Sequence, residues 1–350
     1  PNTFIREINE ILSKEGIKGK SFLKIDIKSF YSSLDRSILF EIISGPTEDK
    51  NLETLIRRAI INRTVPKNYS RKTGSKFNTE IGVPQGLSIS NILASIYMHD
   101  FDSYFLSKKI NYVRYVDDIL VIVATDDLIK TEKLILDKLF EIKLESNDKS
   151  DKGVLSKEFE YLGYTLNYPK ITVRNSTVEK FISTVSALFT DIKYNAERRE
   201  RASKTLGLKE IKYIFMLRIN EKITGAISDG KRYGWIFYFL EINDMHLLHK
   251  MDQIIKSFFY RLDVFDNTPP GELKSLVRSY YEAKLNTVGG YIHNYDDYDN
   301  REKKAEYIIG CGYLIRHEER NYSDNEIDRK FYMARKKHLV KLEEDVANMS

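Results

Sequence analysis

Apolar side chains recur at helical spacing from Phe4 to Leu12, until Gly16 and Gly19 interrupt them. Phe22-Leu23-Lys24-Ile25-Asp26-Ile27 is an apolar run broken by charge, which predicts a strand. Ser37 to Ile43 and Leu52 to Ile61 read as amphipathic helices separated by the Gly45-Pro46 breaker, and the polar, basic stretch Lys67 to Asn78 as an exposed loop or hairpin. After a second break, Gly82-Val83-Pro84-Gln85-Gly86, the helical period returns. It predicts one continuous helix from Ser88 to Phe105, with Leu93, Ile96, Tyr97 and Phe101 on its apolar stripe. Tyr112 to Tyr115 and Ile119 to Val123 are strand-like, and Val116-Asp117-Asp118 joins them into a hairpin with carboxylates at its tip. A helix over Leu128 to Ile142 and short strands around Glu160 to Tyr164 and Ile171 to Val173 complete this part.

Beyond Ser176 the character changes. Val178 to Tyr194, Leu208 to Asn220 and Trp235 to Arg261 all carry long helical patterns, and Thr268-Pro269-Pro270-Gly271 is a clear breaker. The remainder mixes helix with a loop over Tyr291 to Asn300, and no internal repeat is visible. The expected fold class is α/β (α+β): a mixed unit followed by an all-helical one. At 350 residues the chain is longer than one core usually organises, so two or three packed units are expected.

Composition narrows the function classes. No apolar run approaches the ~20 residues that span a bilayer, no signal-peptide pattern is present, and no membrane partner is expected. The net charge of +5 is a mild basic excess, compatible with a nucleic-acid partner but weak by itself. With 23 tyrosines and 18 phenylalanines, aromatic rings could stack on bases, although core packing is their commoner use. Cys311 is the single cysteine, which excludes an internal disulfide and a zinc site of paired cysteines and suits a reducing cytoplasm.

Three carboxylates stand in unusual surroundings. Asp26 interrupts an apolar strand, and Asp117 and Asp118 join two others. An Asp-Asp pair alone is commonly a solvated turn. Carboxylates converging from separate segments are also what nucleotidyl transfer with two divalent ions ~4 Å apart requires. An all-oxygen set suits Mg²⁺, and the six scattered histidines suggest no ligand group of their own.

Phe22 to Tyr31, Gly82 to Gly86 and Tyr115-Val116-Asp117-Asp118 together resemble, in order and at compatible spacing, three successive motifs of the reverse-transcriptase palm. The resemblance implies a right-hand polymerase, an RNA-directed DNA polymerase with Asp26, Asp117 and Asp118 as catalytic metal ligands and the Ile27 carbonyl as a further ligand. The implied cofactor is two Mg²⁺ ions, with Mn²⁺ as substitute. Tyr31 falls at the family's steric gate against a ribose 2′-hydroxyl. Gln85 matches the residue that touches the incoming nucleotide or template, and Lys149, ending Asn147-Asp148-Lys149, matches the lysine near the leaving pyrophosphate. Tyr161-Leu162-Gly163 resembles the primer grip. The implied partners are an RNA template, deoxynucleoside triphosphates and a DNA product, with a protein partner or a second copy as a further option.

The resemblance covers about Phe22 to Leu166. It implies residues 1–21 as a remnant of the fingers, 22–175 as palm with a finger insertion around 45–80, 176–265 as helical thumb, and 266–350 as a C-terminal helical extension. Only Pro1 to Ser21 precede the first palm strand, and with no initiating Met a further finger section is expected upstream. Gly234 to Phe239 with Leu248 and Asp252 resembles the thumb of bacterial defence-associated members, which implies anti-phage defence with a dedicated non-coding RNA. A retron or group II intron-like enzyme, or an RNA- or protein-binding scaffold retaining the polymerase fold, are the alternatives. A viral-type RNA polymerase fits less well, because Tyr31 and the Pro-Gln-Gly loop favour deoxynucleotides. Tyr295-Asp296-Asp297 repeats the catalytic letters in a polar loop without flanking strands and reads as a decoy. His246 and His249 read as surface or capping residues. The run Arg198-Arg199-Glu200-Arg201 is either a solvated helix face or a phosphate-tracking one.

Overall fold

In the computed structural model, α1 (Asn2–Glu15) turns Ile5, Ile8 and Leu12 inward, the stripe that their spacing dictates. The structure describes residues 1–45, 49–61, 81–84, 87–108, 110–147, 150–203, 206–344 and 346. Its contacts divide the chain into two compact units, Thr3–Phe159 and Pro1–Asn2 with Glu160–Ser350.

In the unit Thr3–Phe159, β1 (Lys20–Asp26) is followed by the short α2 (Phe30–Ser33), α3 (Arg36–Ser44) and α4 (Lys50–Ile61). The Asp35 carboxylate caps α3 by accepting from the backbone N–H of Ser37 at 2.8 Å and of Ile38 at 3.1 Å. Then come α5 (Ser90–Tyr97), α6 (His99–Ser107), β2 (Asn111–Tyr115), β3 (Asp118–Ala124), α7 (Leu128–Glu141) and β4 (Asp151–Val154). The four strands form one antiparallel sheet in the order β2-β3-β1-β4. Leu23 pairs with Val121 and Ile25 with Ile119 across β1 and β3. These residues share a core with Leu93, Tyr97, Phe105, Ile135 and Leu139 of α5, α6 and α7. The helix expected over Ser88 to Phe105 is two helices instead. Met98 lies between them with ψ −2°, away from the about −42° of a helix interior, and its side chain is fully buried.

The unit Glu160–Ser350 opens with a small antiparallel sheet whose first strand, β5 (Phe159–Tyr161), starts at the last residue of the other unit. β6 (Tyr164–Asn167) and β7 (Lys170–Val173) complete it in the order β5-β6-β7. The long helices α8 (Asn175–Ala202) and α9 (Leu208–Thr224) follow. This unit is not all-helical. β8 (Ala226–Ser228) and β9 (Lys231–Tyr233) form a hairpin around Asp229 (φ 51°) and Gly230 (φ 68°), the two left-handed residues that a tight two-residue hairpin turn needs. The single helix expected over Trp235 to Arg261 divides into α10 (Trp235–Tyr238) and α11 (Met245–Phe259). Trp235, Ile236, Phe237, Phe239, Leu240 and Ile242 are all buried and only Tyr238 and Glu241 are partly exposed, which is a narrower solvent face than a continuous surface helix presents. Asn243 ends it by accepting from Ile171 N–H at 2.8 Å and donating to the Pro169 carbonyl at 2.7 Å.

α12 (Leu276–Leu285), β10 (His293–Asn294), α13 (Arg301–Gly310) and α14 (Asp324–Glu344) complete the unit, and β10 lies parallel to β8. Phe189, Phe215 and Phe259 interlock edge to face, with Phe189 centroids 5.1 and 4.8 Å from the other two, so these rings serve the core. No helix among the described residues is long and apolar enough to cross a membrane.

Candidate active site

β1 is hydrogen-bonded along its length to β3, and that register sets Asp26 directly opposite Asp118. Tyr115 faces Asp118 from β2, leaving Val116 and Asp117 as the two residues of the turn. Val116 adopts φ 57°, a left-handed conformation that a β-branched residue takes only under constraint. The constraint is visible. Arg114, whose side chain is 9% exposed, donates from Nη1 to the Val116 carbonyl at 2.7 Å. Its other face is held by Asp102 of α6, which accepts from Arg114 Nε at 2.8 Å and from the Tyr112 hydroxyl at 2.6 Å. The Ile27 N–H donates to the Asp117 carbonyl at 3.0 Å and ties the tip to the end of β1.

The Asp26 charge acts on both carboxylates of the turn. Burial, and then the charge of Asp26, raises the Asp117 carboxyl above its ordinary range. Burial together with Asp117 and Asp26 pushes Asp118 up to about 6, against the pull of Lys24. Asp26 accepts a hydrogen bond from the Asn147 side-chain amide, and its carbonyl accepts from the Asn147 N–H at 2.9 Å. Among the described residues, no group of three or more His, Cys, Asp or Glu side chains is already gathered as a metal cage. The hard, all-oxygen donors and their mutual repulsion nevertheless fit a divalent ion, which would relieve the like charge.

Tyr31 borders this site from α2. Its hydroxyl donates to Asn91 Oδ1 of α5, and burial followed by the Asp117 charge raises its pKa. The Gly82-Val83-Pro84 segment is docked on the same turn: Val83 N–H donates to the Tyr31 carbonyl at 2.7 Å and Gly82 N–H to the Leu34 carbonyl at 2.8 Å. A Cβ on Gly82 would stand 2.7 Å from the Ser32 carbonyl oxygen, and φ is 84°, so glycine is required here. Gln85 and Lys149 lie outside the described residues.

Asp26, Ile27, Tyr31, Asp117 and Asp118 therefore meet in the unit Thr3–Phe159, whereas Tyr161, Leu162 and Gly163 fall in, or at the start of, the other. There Leu162 (φ 50°) and Gly163 (φ 78°) form a buried two-residue turn between β5 and β6. Sequence reasoning missed Arg114, Asp102, Asn91 and Asn147. Arg114 carried the one available signal, a charge inside an apolar strand two positions before the turn.

The decoy has a structural occupation. Tyr295 is buried, and the Asp296 carboxylate accepts from the backbone N–H of Asp229 at 2.7 Å and of Gly230 at 3.0 Å, capping the β8–β9 turn. His246 and His249 are exposed on α11. Arg199 pairs with Asp191 at 2.7 Å and Arg201 with Glu197 at 3.0 Å along α8.

Residues 3–166 match the family model for reverse transcriptase (RNA-dependent DNA polymerase). These residues form a reverse-transcriptase domain. Among curated relatives, the retron Ec83 reverse transcriptase of Escherichia coli is 30% identical over 100 residues, 28% of this chain and 30% of that one. The putative COX1/OXI3 intron 2 protein of Saccharomyces cerevisiae is 26% identical over 87 residues, 25% of this chain. The chain spans only about a tenth of that fungal relative's length. Telomerase of Candida albicans, solved with a fragment of telomeric RNA, aligns over 76% of this chain and 51% of its own, at 15% identity and a TM-score of 0.46. The three sequence motifs that resembled the palm all lie inside the matched reverse-transcriptase region.

Proposed function

We propose that the chain is an RNA-directed DNA polymerase whose active site is the β1–β3 junction. The observation that carries this is the register placing Asp26 against Asp118, with Asp117 at the adjoining turn. Asp26, Asp117 and Asp118, with the Ile27 carbonyl, would hold two Mg²⁺ ions (or Mn²⁺), which when bound supply the Lewis acidity for in-line displacement on a triphosphate. The protein's own part is positioning. Arg114 and Asp102 fix the strained Val116 turn, so Asp117 and Asp118 project from a tip with little freedom to reorganise. Tyr31, held by Asn91, presents its ring where a ribose 2′-hydroxyl would clash, favouring deoxynucleotides. Gln85 and Lys149 are assigned to nucleotide binding and leaving-group stabilisation, and Tyr161-Leu162-Gly163 to gripping the primer.

In this reading residues 1–21 belong to the fingers, 22–175 to the palm with a finger insertion around 45–80, 176–265 to the thumb, and 266–350 to a C-terminal extension. The retron reverse transcriptase among the relatives supports the reverse-transcriptase reading, to which we add as our own proposal a dedicated non-coding RNA as template, a bacterial cytoplasm, and anti-phage defence as the biological setting. The Gly234–Phe239 stretch with Leu248 and Asp252 is the chain's own support for that setting. The test is an Asp117→Asn, Asp118→Asn double variant assayed for labelled deoxynucleotide incorporation and for phage protection, with sequencing of nucleic acid that copurifies with the wild type. Loss of both activities is expected. Surviving incorporation would overturn the catalytic assignment, and surviving protection without incorporation would make the chain a scaffold.

A further inference from the structure

A second cavity lies wholly within the unit Glu160–Ser350, and the polymerase reading gives it no task. It encloses about 810 Å³, within the range of small-molecule sites. Four lysines from three segments line it: Lys209 and Lys212 one turn apart on α9, Lys274 just before α12, and Lys303 on α13. Lys303 is committed, donating to Asp299 at 3.0 Å and to the Asp297 carbonyl at 3.1 Å. Lys274 is half-buried and donates to the Tyr291 carbonyl. Among the described residues neither Lys209 nor Lys212 has a carboxylate partner, and Lys212 stands 5.4 Å from the centre of the Phe265 ring. Cations left open on a cavity rim suit a phosphate.

The remaining lining is of a different kind. Tyr213, Tyr298 and Phe265 provide aromatic walls, and 45% of Tyr213 is exposed. Tyr298 is fixed from below, because its hydroxyl lies 3.0 Å from His293 Nε2 while His293 Nδ1 lies 2.6 Å from Glu221 Oε1. Glu221 is itself buried and also accepts from the Tyr295 hydroxyl at 2.5 Å and lies 3.1 Å from His338 Nδ1. Burial alone would push its carboxyl up, but the His293 and His338 partners outweigh that and hold it at about 2. The ring wall therefore rests on a rigid polar floor. Asp297, steadied by the Asn294 amide at 3.0 Å, adds an acceptor to the lining.

Open lysines, aromatic faces and a carboxylate acceptor in one cavity recognise a bipolar ligand, anionic at one end and flat with amino donors at the other. We propose that this cavity binds an amino-bearing nucleoside phosphate, as a mononucleotide and independently of the polymerase site. Asp297 and Glu272 among the lining residues disfavour a purely inorganic anion, which would meet their charge without offering them a donor.

Isothermal titration of the full chain with ATP, in EDTA so that the carboxylate site cannot retain a triphosphate through metal, tests the proposal. ATP is expected to bind at one site, with ITP, which replaces the amino group by a carbonyl, and inorganic triphosphate weaker by about tenfold or more. Lys209→Glu with Lys212→Glu, both on a solvent-accessible helix face, should weaken ATP by about tenfold or more and leave the melting temperature unchanged. Asp117→Asn with Asp118→Asn should leave it unaltered. No binding at millimolar ATP, equal binding of ATP and triphosphate, or binding lost only in the Asp117/Asp118 variant would each overturn it.

Discussion

Two stretches of this chain spell a tyrosine followed by paired aspartates, and they are built to opposite ends. At Tyr115-Val116-Asp117-Asp118 the pair terminates one strand turn and faces a third carboxylate across the sheet, and burial together with the Asp26 charge raises the pKa of both Asp117 and Asp118. At Tyr295-Asp296-Asp297 the Asp296 carboxylate closes on two backbone N–H groups, and the tyrosine is sunk into the Glu221 network. One site gathers like charge and the other neutralises it with peptide dipoles. Carboxylates poised for chemistry are those a fold holds together at a cost, while those spent on stability are surrounded by donors.

The contrast is broken most directly by neutralising each pair. Asp117→Asn is expected to lower deoxynucleotide incorporation by roughly three orders of magnitude, as the loss of several kcal/mol of transition-state stabilisation implies. Asp296→Asn should leave incorporation within about twofold of wild type, since it touches only a turn cap. Equal effects would erase the distinction.

A smaller effect is expected at Arg114. Arg114→Met takes the guanidinium from Asp102, which keeps only the Tyr112 hydroxyl, and releases Val116, costing about 1–3 kcal/mol of stability, measurable by urea denaturation. Adding Asp102→Asn, whose amide oxygen can still accept from the Tyr112 hydroxyl, should recover part of that stability, whereas kcat should stay low because the turn still lacks its brace. If kcat recovers with stability, Arg114 serves only the fold.

Tyr31→Val should narrow the preference for deoxynucleotides over ribonucleotides by roughly tenfold to a hundredfold, read from the ratio of kcat/KM values for paired substrates.

The pH dependence is subtler. Asp118 is raised in the folded state, so its contribution to the stability of metal-free protein is full below the unfolded carboxylate pKa and is lost as pH rises through about 6. Metal-free protein should therefore melt at a higher temperature at pH 5 than at pH 7.5, and Asp118→Asn should flatten that difference. Apparent Mg²⁺ affinity should move the other way, falling below about pH 6 as protons compete for the carboxylate.

Much of the first unit was legible because its signals are local. The β2–β3 hairpin, α3 and α7 fell within a residue or two of their expected bounds, since alternation and helical period each specify a face to bury. Sequence proximity failed where burial is complete. The stretch Trp235–Leu240 is an unbroken apolar and aromatic run, so its period does not indicate where the helix stops. The β8–β9 hairpin was readable in principle from Asp229-Gly230, but strands of three residues carry too little alternation to stand out. Within the site, Asp26, Asp117 and Asp118 were visible as charges amid apolar runs. Asp102 and Asn147 were not, because what they do depends on a partner distant in sequence and brought near only by folding.

The Glu221 network has a consequence for how such a chain can change over generations. The carboxylate is contributed by α9, yet His293, Tyr295 and His338 all come from beyond α12. Cutting the chain after α12 would strip that carboxylate of all three partners and uncover the face of α9 on which α13 and α14 pack. The final segment is thus not a detachable appendage that a lineage could gain or shed in one event. Its loss would call for compensating changes along that face of α9, at Glu221 and at the apolar Leu217, which ties the history of the last sixty or so residues to a helix far upstream.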